Sequence, residues 1–98
     1  MVEKTKKKFT IEDVLGSKGK IKILKVLAAK GESNISDVMR RARVNYSTID
    51  NHMADLVEAG IVEETDFGRI RILRLRVEVP KVHAIKTMFE IWNASDLV

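Results

Sequence analysis

Between Tyr46 and His52 the only apolar residue is Ile49; Tyr46, Ser47, Thr48, Asp50, Asn51 and His52 all carry hydrogen-bonding side chains. Such groups suit contact with DNA. An asparagine amide pairs with an adenine edge, and serine or threonine hydroxyls bond phosphate or base. Asn51 is thus a candidate for adenine, Ser47 and Thr48 for phosphate or base, and Tyr46 for phosphate or sugar. Asp50 is repelled by phosphate unless it accepts from a cytosine amino group. The stretch lacks arginine and lysine, the usual readers of guanine. An ordinary solvated face is the competing reading.

The element that must position these groups is a helix. Ile49, Met53 and Leu56 fall at i, i+4 and i+7, so they share one face and predict a helix over 46–59. Asn45 is its N-cap candidate, and Ala59-Gly60 its end. Ile61 and Val62 then open a β-branched segment. A helix with an apolar back and a polar front, followed by a strand, can lie in a DNA major groove.

Cations flank this helix. Arg40, Arg41 and Arg43 precede it, and Lys18, Lys20 and Lys22 begin an earlier one. Helix-turn-helix proteins draw phosphate contacts from such flanks, although a solubilising basic face would look the same. Arg69 and Arg71 follow a hairpin signal at Asp66-Phe67-Gly68. Cross-strand pairing with Glu63 or Glu64 competes with DNA contact there, and Arg69, nearest the tip, is the better DNA candidate. Arg74 and Arg76 read as structural.

The remaining elements follow from spacing and caps. Residues 1–8 read as a flexible basic tail carrying Lys4, Lys6, Lys7 and Lys8. Thr10 caps a short helix over Ile11 to Leu15, ended by Gly16. Ser17 caps a helix through Lys30-Gly31, with Ile21, Leu24 and Leu27-Ala28 on its apolar stripe. Ser33 or Asn34 caps a helix over Ile35 to Arg41, with Ile35, Val38 and Met39 inward. Strands are expected over Ile61 to Thr65 and Arg69 to Val79. In the second, the apolar parity slips at Ile72-Leu73, which predicts a β-bulge or twist. Pro80 opens a last helix, whose Val82, Ile85, Met88, Phe89, Ile91 and Trp92 exceed what one small domain covers. The segment from Asn93 to Val98 is expected to fray.

Three helices, a hairpin and a further helix make an α+β, mainly α chain. Helices 35–41 and 46–59, joined by about four residues, form a helix-turn-helix. In wording and order the chain resembles the winged helix-turn-helix regulators, most closely the ArsR-like and MarR-like ones, over roughly residues 17–79. Ser47-Thr48-Ile49, His52 and Ala59-Gly60-Ile61-Val62 carry the resemblance, and Met53 stands where leucine is usual. It implies a three-helix bundle with a β-hairpin wing, plus an extra C-terminal helix. It also implies double-stranded DNA as partner, with Arg69 and Arg71 acting from the wing at the minor groove, where arginine is favoured. Dimerisation through helices outside the winged core is implied too. The exposed apolar surface of Val82, Ile85, Met88, Phe89 and Trp92 points the same way.

The expected organisation is a tail over 1–8, a winged-helix DNA-binding domain over 9–79 and a dimerisation helix over 80–94. Ninety-eight residues suit one domain, and a net charge of +4 mildly favours polyanionic partners. With no cysteine, thiolate metal sites and disulfides are excluded, so the metal sensing of cysteine-bearing ArsR-like proteins does not carry over. No Gly-rich phosphate loop or HExxH motif supports an enzyme, and no cofactor or metal is expected. The start MVEKTKKK has no apolar run behind its charge, and no stretch is long enough to span a membrane; a cytoplasmic protein is the expectation. The sequence therefore predicts a homodimeric, sequence-specific transcriptional regulator, acting as a repressor. Two alternatives stay open. One is a winged-helix protein-interaction module, suggested by Asp50, Asp55 and Glu58. The other is a nonspecific architectural DNA protein, suggested by the lysine tail. The DNA sequence, the regulated genes and any effector are not legible.

Overall fold

The computed structural model describes residues 9–95. The order of elements is α1 (Ile11–Leu15), α2 (Lys18–Lys30), β1 (Ser33–Asn34), α3 (Ile35–Ala42), α4 (Tyr46–Glu58), β2 (Val62–Phe67), β3 (Ile70–Leu75) and α5 (Pro80–Ser95). The basic tail expected over 1–8 and the last residues, 96–98, lie outside the described residues.

Helix starts obey the capping chemistry. Thr10 and Asp13 form a reciprocal box on α1: the Thr10 hydroxyl accepts from the Asp13 amide at 3.2 Å, and the Asp13 carboxylate accepts from the Thr10 amide at 2.9 Å. Ser17 accepts from the Lys20 amide, Asn34 from that of Asp37, and Asn45 from that of Thr48. Of the two candidates for α3, Asn34 is thus the cap. At the end of α4 the Gly60 and Ile61 amides donate to the Val57 and Leu56 carbonyls. Gly60 takes a φ of 78°. This is a Schellman closure, and it returns the chain toward the core at Ile61.

The core gathers one face from each long element. Ile23, Leu24 and Leu27 of α2 meet Val38 of α3 and Ile49, Met53 and Leu56 of α4, all buried. Val62, Leu73 and Leu75 cover them from the sheet, and Val82 and Phe89 from α5. The α2 stripe is turned slightly from expectation: Ile23 is fully buried and Ile21 only partly.

The sheet corrects several expectations. Its strands are ordered β1-β3-β2, all antiparallel. The short β1, too brief to show any periodicity, pairs Ser33 with Leu73 and Asn34 with Ile72. The hairpin turn is Gly68-Arg69, because β2 continues to Phe67. Gly68 has a φ of 64° while Arg69 keeps a negative φ, the pattern of a type II′ turn. β3 ends at Leu75, not Val79, and residues 76–79 form turns leading to Pro80. No bulge occurs at Ile72-Leu73: the ladder runs unbroken from Val62↔Leu75 to Phe67↔Ile70. The parity slip instead marks where apolar residues change faces. Leu73 and Leu75 point to the core, whereas Ile70 and Ile72 lie on the outer face of the wing. α5 also continues through Asn93 to Ser95, where fraying was expected.

Candidate nucleic-acid interface

α4 places its three core residues on one side, which leaves Ser47, Asp50, Asn51 and Ala54 at i, i+3, i+4 and i+7 on the exposed side. Tyr46 is exposed beside them. Ala54 was not singled out from sequence. It keeps the middle of this front low and smooth. At the amino end, Asn45 is occupied in capping: its side-chain oxygen accepts from the Thr48 amide at 2.8 Å and from the Ser47 hydroxyl at 3.1 Å.

His52, expected on this front, is turned aside. Its ring lies over Gly19 of α2, so closely that a Cβ there would sit 2.5 Å from Nε2. Burial holds its pKa below 6.5, repulsion from Lys20 adds to that, and Asp55 opposes it. The ring is therefore neutral near pH 7 and acts as packing between α2 and α4.

Lys20 is likewise not a surface cation. It is buried, its Nζ donates to the Asp13 carbonyl at 3.0 Å, and it lies 2.9 Å from the Asp55 carboxylate. One side chain thus ties α1, α2 and α4 together. The sequence placed it among phosphate contacts because the α2 stripe was read slightly out of phase.

Arg71 takes the cross-strand role that the sequence left open and adds a contact to α4. It faces the inner side of the wing with Leu73 and Leu75. Its guanidinium donates to Glu64 through Nε at 2.6 Å and Nη2 at 3.2 Å, to Asp50 of α4 at 3.2 Å and to the Tyr46 hydroxyl at 3.3 Å. Glu64 is held below its usual carboxylate range chiefly by that bond, and Arg71 is raised further by the same partner. Cross-strand pairing with Glu64, one of the two roles open to Arg71, is present, with an added bridge from wing to α4. Asp50 thus shares the Arg71 guanidinium with Glu64, an attraction that offsets part of its negative charge on the exposed side of α4. Asp55 is neutralised by Lys20.

The remaining cations fall into two groups. Arg40 and Arg41 both pair with Asp37, whose pKa is lowered mainly by the bond from Arg41. Arg74 joins Glu63 and Glu78, and Arg76 joins Glu78, so both are structural as expected. Lys18, Lys22, Arg43 and Arg69, by contrast, are exposed and have no ion-pair partner among the described residues. Arg43 stands in the α3–α4 turn with left-handed backbone, φ 58° and ψ 48°. Arg69 stands at the wing tip. Along the chain, Arg43 precedes α4 and Arg69 follows it, at the turn of the wing.

α5 divides its apolar residues between two faces. Val82 and Phe89, expected at a dimer interface, are core residues, and Ile85 is partly buried against the core. Met88, Ile91 and Trp92 remain exposed, Trp92 by 69%. Met88 also lines an apolar groove of about 290 Å³ with Ile11, Val14 and Leu15 of α1. Among the described residues no helix is long and apolar enough to cross a membrane.

Residues 17–64, from the cap of α2 into the wing, match the family model for bacterial regulatory proteins of the arsR family. No curated protein sequence matches the chain. Among solved structures, the chain is similar to a MarR-family transcriptional regulator from Silicibacter pomeroyi, at 26% identity and a TM-score of 0.65. That match covers 80% of this chain but 53% of the other, so the chain spans about half that regulator's length. A fragment of a possible transcriptional regulatory protein from Mycobacterium bovis has a TM-score of 0.66 at 21% identity, covering 83% of this chain and 84% of that one. Sso10a-2, a DNA-binding protein from Sulfolobus solfataricus, shares the fold at 17% identity and a TM-score of 0.56, with 78% and 79% covered. Family match, helix order and wing agree: the chain has the winged helix-turn-helix fold, and over residues 17–64 it is similar to the ArsR-like and MarR-like DNA-binding regulators.

Proposed function

We propose that the protein is a sequence-specific, homodimeric transcriptional regulator that acts by occupying a promoter. α4 enters the major groove, with Asn51 reading a base edge and Ser47, Thr48 and Tyr46 contacting base, phosphate or sugar. Asn45 orients the start of that helix. Lys18, Arg40, Arg41 and Arg43 hold phosphates, and Arg69 acts from the wing at the minor groove. Arg71 and Asp50 fix the wing against α4, and His52 and Lys20 seat α4 on α2. The observation that carries this reading is the low polar front of α4, together with two exposed cations that have no carboxylate partner among the described residues, Arg43 in the turn before it and Arg69 at the wing tip. Of the acidic residues that suggested a protein-binding face, Asp50 and Asp55 each join an internal ion pair, which weighs against that face, while Glu58 is exposed with no ion pair among the described residues.

Dimerisation rests on the outer stripe of α5. Met88, Ile91 and Trp92, with Ile11 of α1 close to Met88, leave large apolar side chains in water. A symmetric pair would set two recognition helices about 34 Å apart and demand a roughly palindromic site.

Fluorescence anisotropy against a random-sequence duplex at low and moderate salt tests the reading. Binding that weakens steeply with salt is expected, followed by enrichment of a preferred site from a DNA library. Asn51→Ala should relax preference at one position, while Arg43→Ala should weaken all duplexes alike and flatten the salt slope by about 1. Absence of binding at low salt would overturn the proposal; binding without site preference would leave an architectural protein.

A further inference from the structure

The outer face of the wing changes character along its length. At its base Glu63 and Arg74 stand opposite each other as an ion pair. Beyond them come Thr65 opposite Ile72, and then Phe67 opposite Ile70 at the last rung before the turn. Phe67 is 62% exposed and Ile70 55%, although they are direct cross-strand neighbours. Both stand away from the core, on the face opposite Leu73 and Leu75. The two-residue turn Gly68-Arg69 then sets an arginine at the apex, with no ion-pair partner among the described residues.

An aromatic and a β-branched residue opposite each other help hold a hairpin together. That role does not require them at the tip, where they keep more than half of their surface in water. The combination at the apex specifies the partner more narrowly. A narrow ribbon with apolar flanks and an unpaired cation at its point fits a partner that is a slot, with apolar walls and negative potential. A DNA minor groove has this form: deoxyribose walls, a floor of base edges, and a field that draws arginine. Proteins that enter it push apolar side chains between base steps and kink the duplex. A flat apolar protein surface would gain nothing from the arginine.

We infer that the wing tip is an apolar wedge for the minor groove, in which Phe67 and Ile70 pack on the sugar walls and open a base step while Arg69 meets the groove's negative potential. The inference deepens the DNA-binding reading and rests on it. The ladder geometry makes the wedge stiff, since its two apolar residues occupy the final paired rung and the turn adds only two residues. Flexible pyrimidine–purine steps, which unstack most readily, are the sequences expected under the wing.

The test uses the full chain and a duplex bearing the site selected from a library, labelled at both ends for energy transfer. A second copy of the duplex carries 2-aminopurine at the step beneath the wing. Wild-type protein is expected to raise the transfer efficiency by bending the duplex and to brighten the 2-aminopurine by unstacking it. The double variant Phe67→Ala/Ile70→Ala should lose both signals. It should bind about ten- to a hundredfold more weakly, the scale set by returning two apolar side chains to water. Its salt slope should match that of the wild type, because no charge has been removed, whereas Arg69→Ala should lower the slope by about 1. Circular dichroism of each free variant verifies that the fold is retained.

If the wild type binds its site and the double variant binds and bends it equally well, the wedge is wrong while the DNA reading stands. A change in sedimentation of the free protein caused by the double variant would also overturn it, by showing that a second copy covers the patch. A wild type that binds no duplex overturns the underlying reading, and the wedge with it.

Discussion

At the scale of single residues, Arg43 and His52 separate stability from recognition. Arg43 closes α3 in the left-handed region, a conformation that costs a non-glycine residue about 1–2 kcal/mol. Glycine is the usual occupant of such a position. Arg43→Gly is therefore expected to raise stability by up to about 1 kcal/mol, with part of the gain lost to the freer unfolded chain. Under the proposed function the same change should weaken DNA binding. Thermal melts and anisotropy on one protein sample check both halves, and a fall in both quantities would mean that the guanidinium is structural. His52 gives a pH dependence of defined sign. Its folded pKa is depressed below 6.5 by burial, with Lys20 adding to the effect. The unfolded chain therefore takes the proton first as pH falls. The stability contributed by the neutral ring is complete above about pH 6.5 and is lost as pH drops through the lowered folded value. Between about pH 7.5 and pH 5.5 the melting temperature of the wild type should fall more than that of His52→Gln, which cannot titrate there. Equal slopes would show that the ring over Gly19 is accessible to solvent.

At the scale of elements, the principal device is the bridge from wing to α4. Arg71 is three-quarters covered and holds Glu64 beside it and Asp50 and Tyr46 across the cleft. Removing it alone leaves two carboxylates near each other and near the presumed path of DNA, so Arg71→Ala should lower both the melting temperature and the affinity for every duplex. Adding Asp50→Ala to Arg71→Ala should restore part of the affinity, with a coupling on the order of 1 kcal/mol in a double-mutant cycle. Strict additivity would indicate that Arg71 touches DNA directly. How far these elements could be read in advance depended on whether a signal was local. Caps are local, so Thr10, Ser17, Asn45 and the Gly60 closure were legible, and with them the boundaries of α1, α2 and α4. The inward set Ile49, Met53 and Leu56 followed from helical spacing. Lys20 and His52 were misplaced, and the bridge from Arg71 to Asp50 was not seen, because their partners, Asp55, Gly19 and Asp50, lie on other elements. The strand β1 was invisible because two residues carry no period. The parity slip at Ile72-Leu73 was a real signal attached to the wrong cause. Local rules predicted a bulge or twist; the ladder has no bulge, and the slip coincides with the exposed apolar tip.

At the scale of the whole molecule, α5 has more apolar surface than its own domain uses. Its inner stripe, Val82 and Phe89, completes the core. Its outer stripe, Met88, Ile91 and Trp92, remains in water, with Ile11 of α1 near Met88. Two stripes on one helix are what a four-helix contact with a second copy would need, since a helix packed on one side only is polar on the other. The chain supplies its own reporter for this contact, because Trp92 is its only tryptophan. Dimer formation should bury the indole, so emission should shift to the red on dilution through the dissociation range. Ile91→Glu puts a charge into the proposed interface one residue away while keeping the reporter. It is expected to sediment as a monomer, to emit at the wild type's dilute limit at every concentration, and to retain the circular dichroism of the folded chain. Its affinity for a palindromic site should fall at least about tenfold, as the second half-site no longer binds as part of the same particle, while affinity for an isolated half-site should change little. A wild type whose mass and emission are those of a monomer at all concentrations would remove the dimer from the model and leave the outer stripe of α5 to another partner. In that case each chain would read a single half-site through α4 and the wing, and a palindromic requirement in the selected DNA would have no source in this protein.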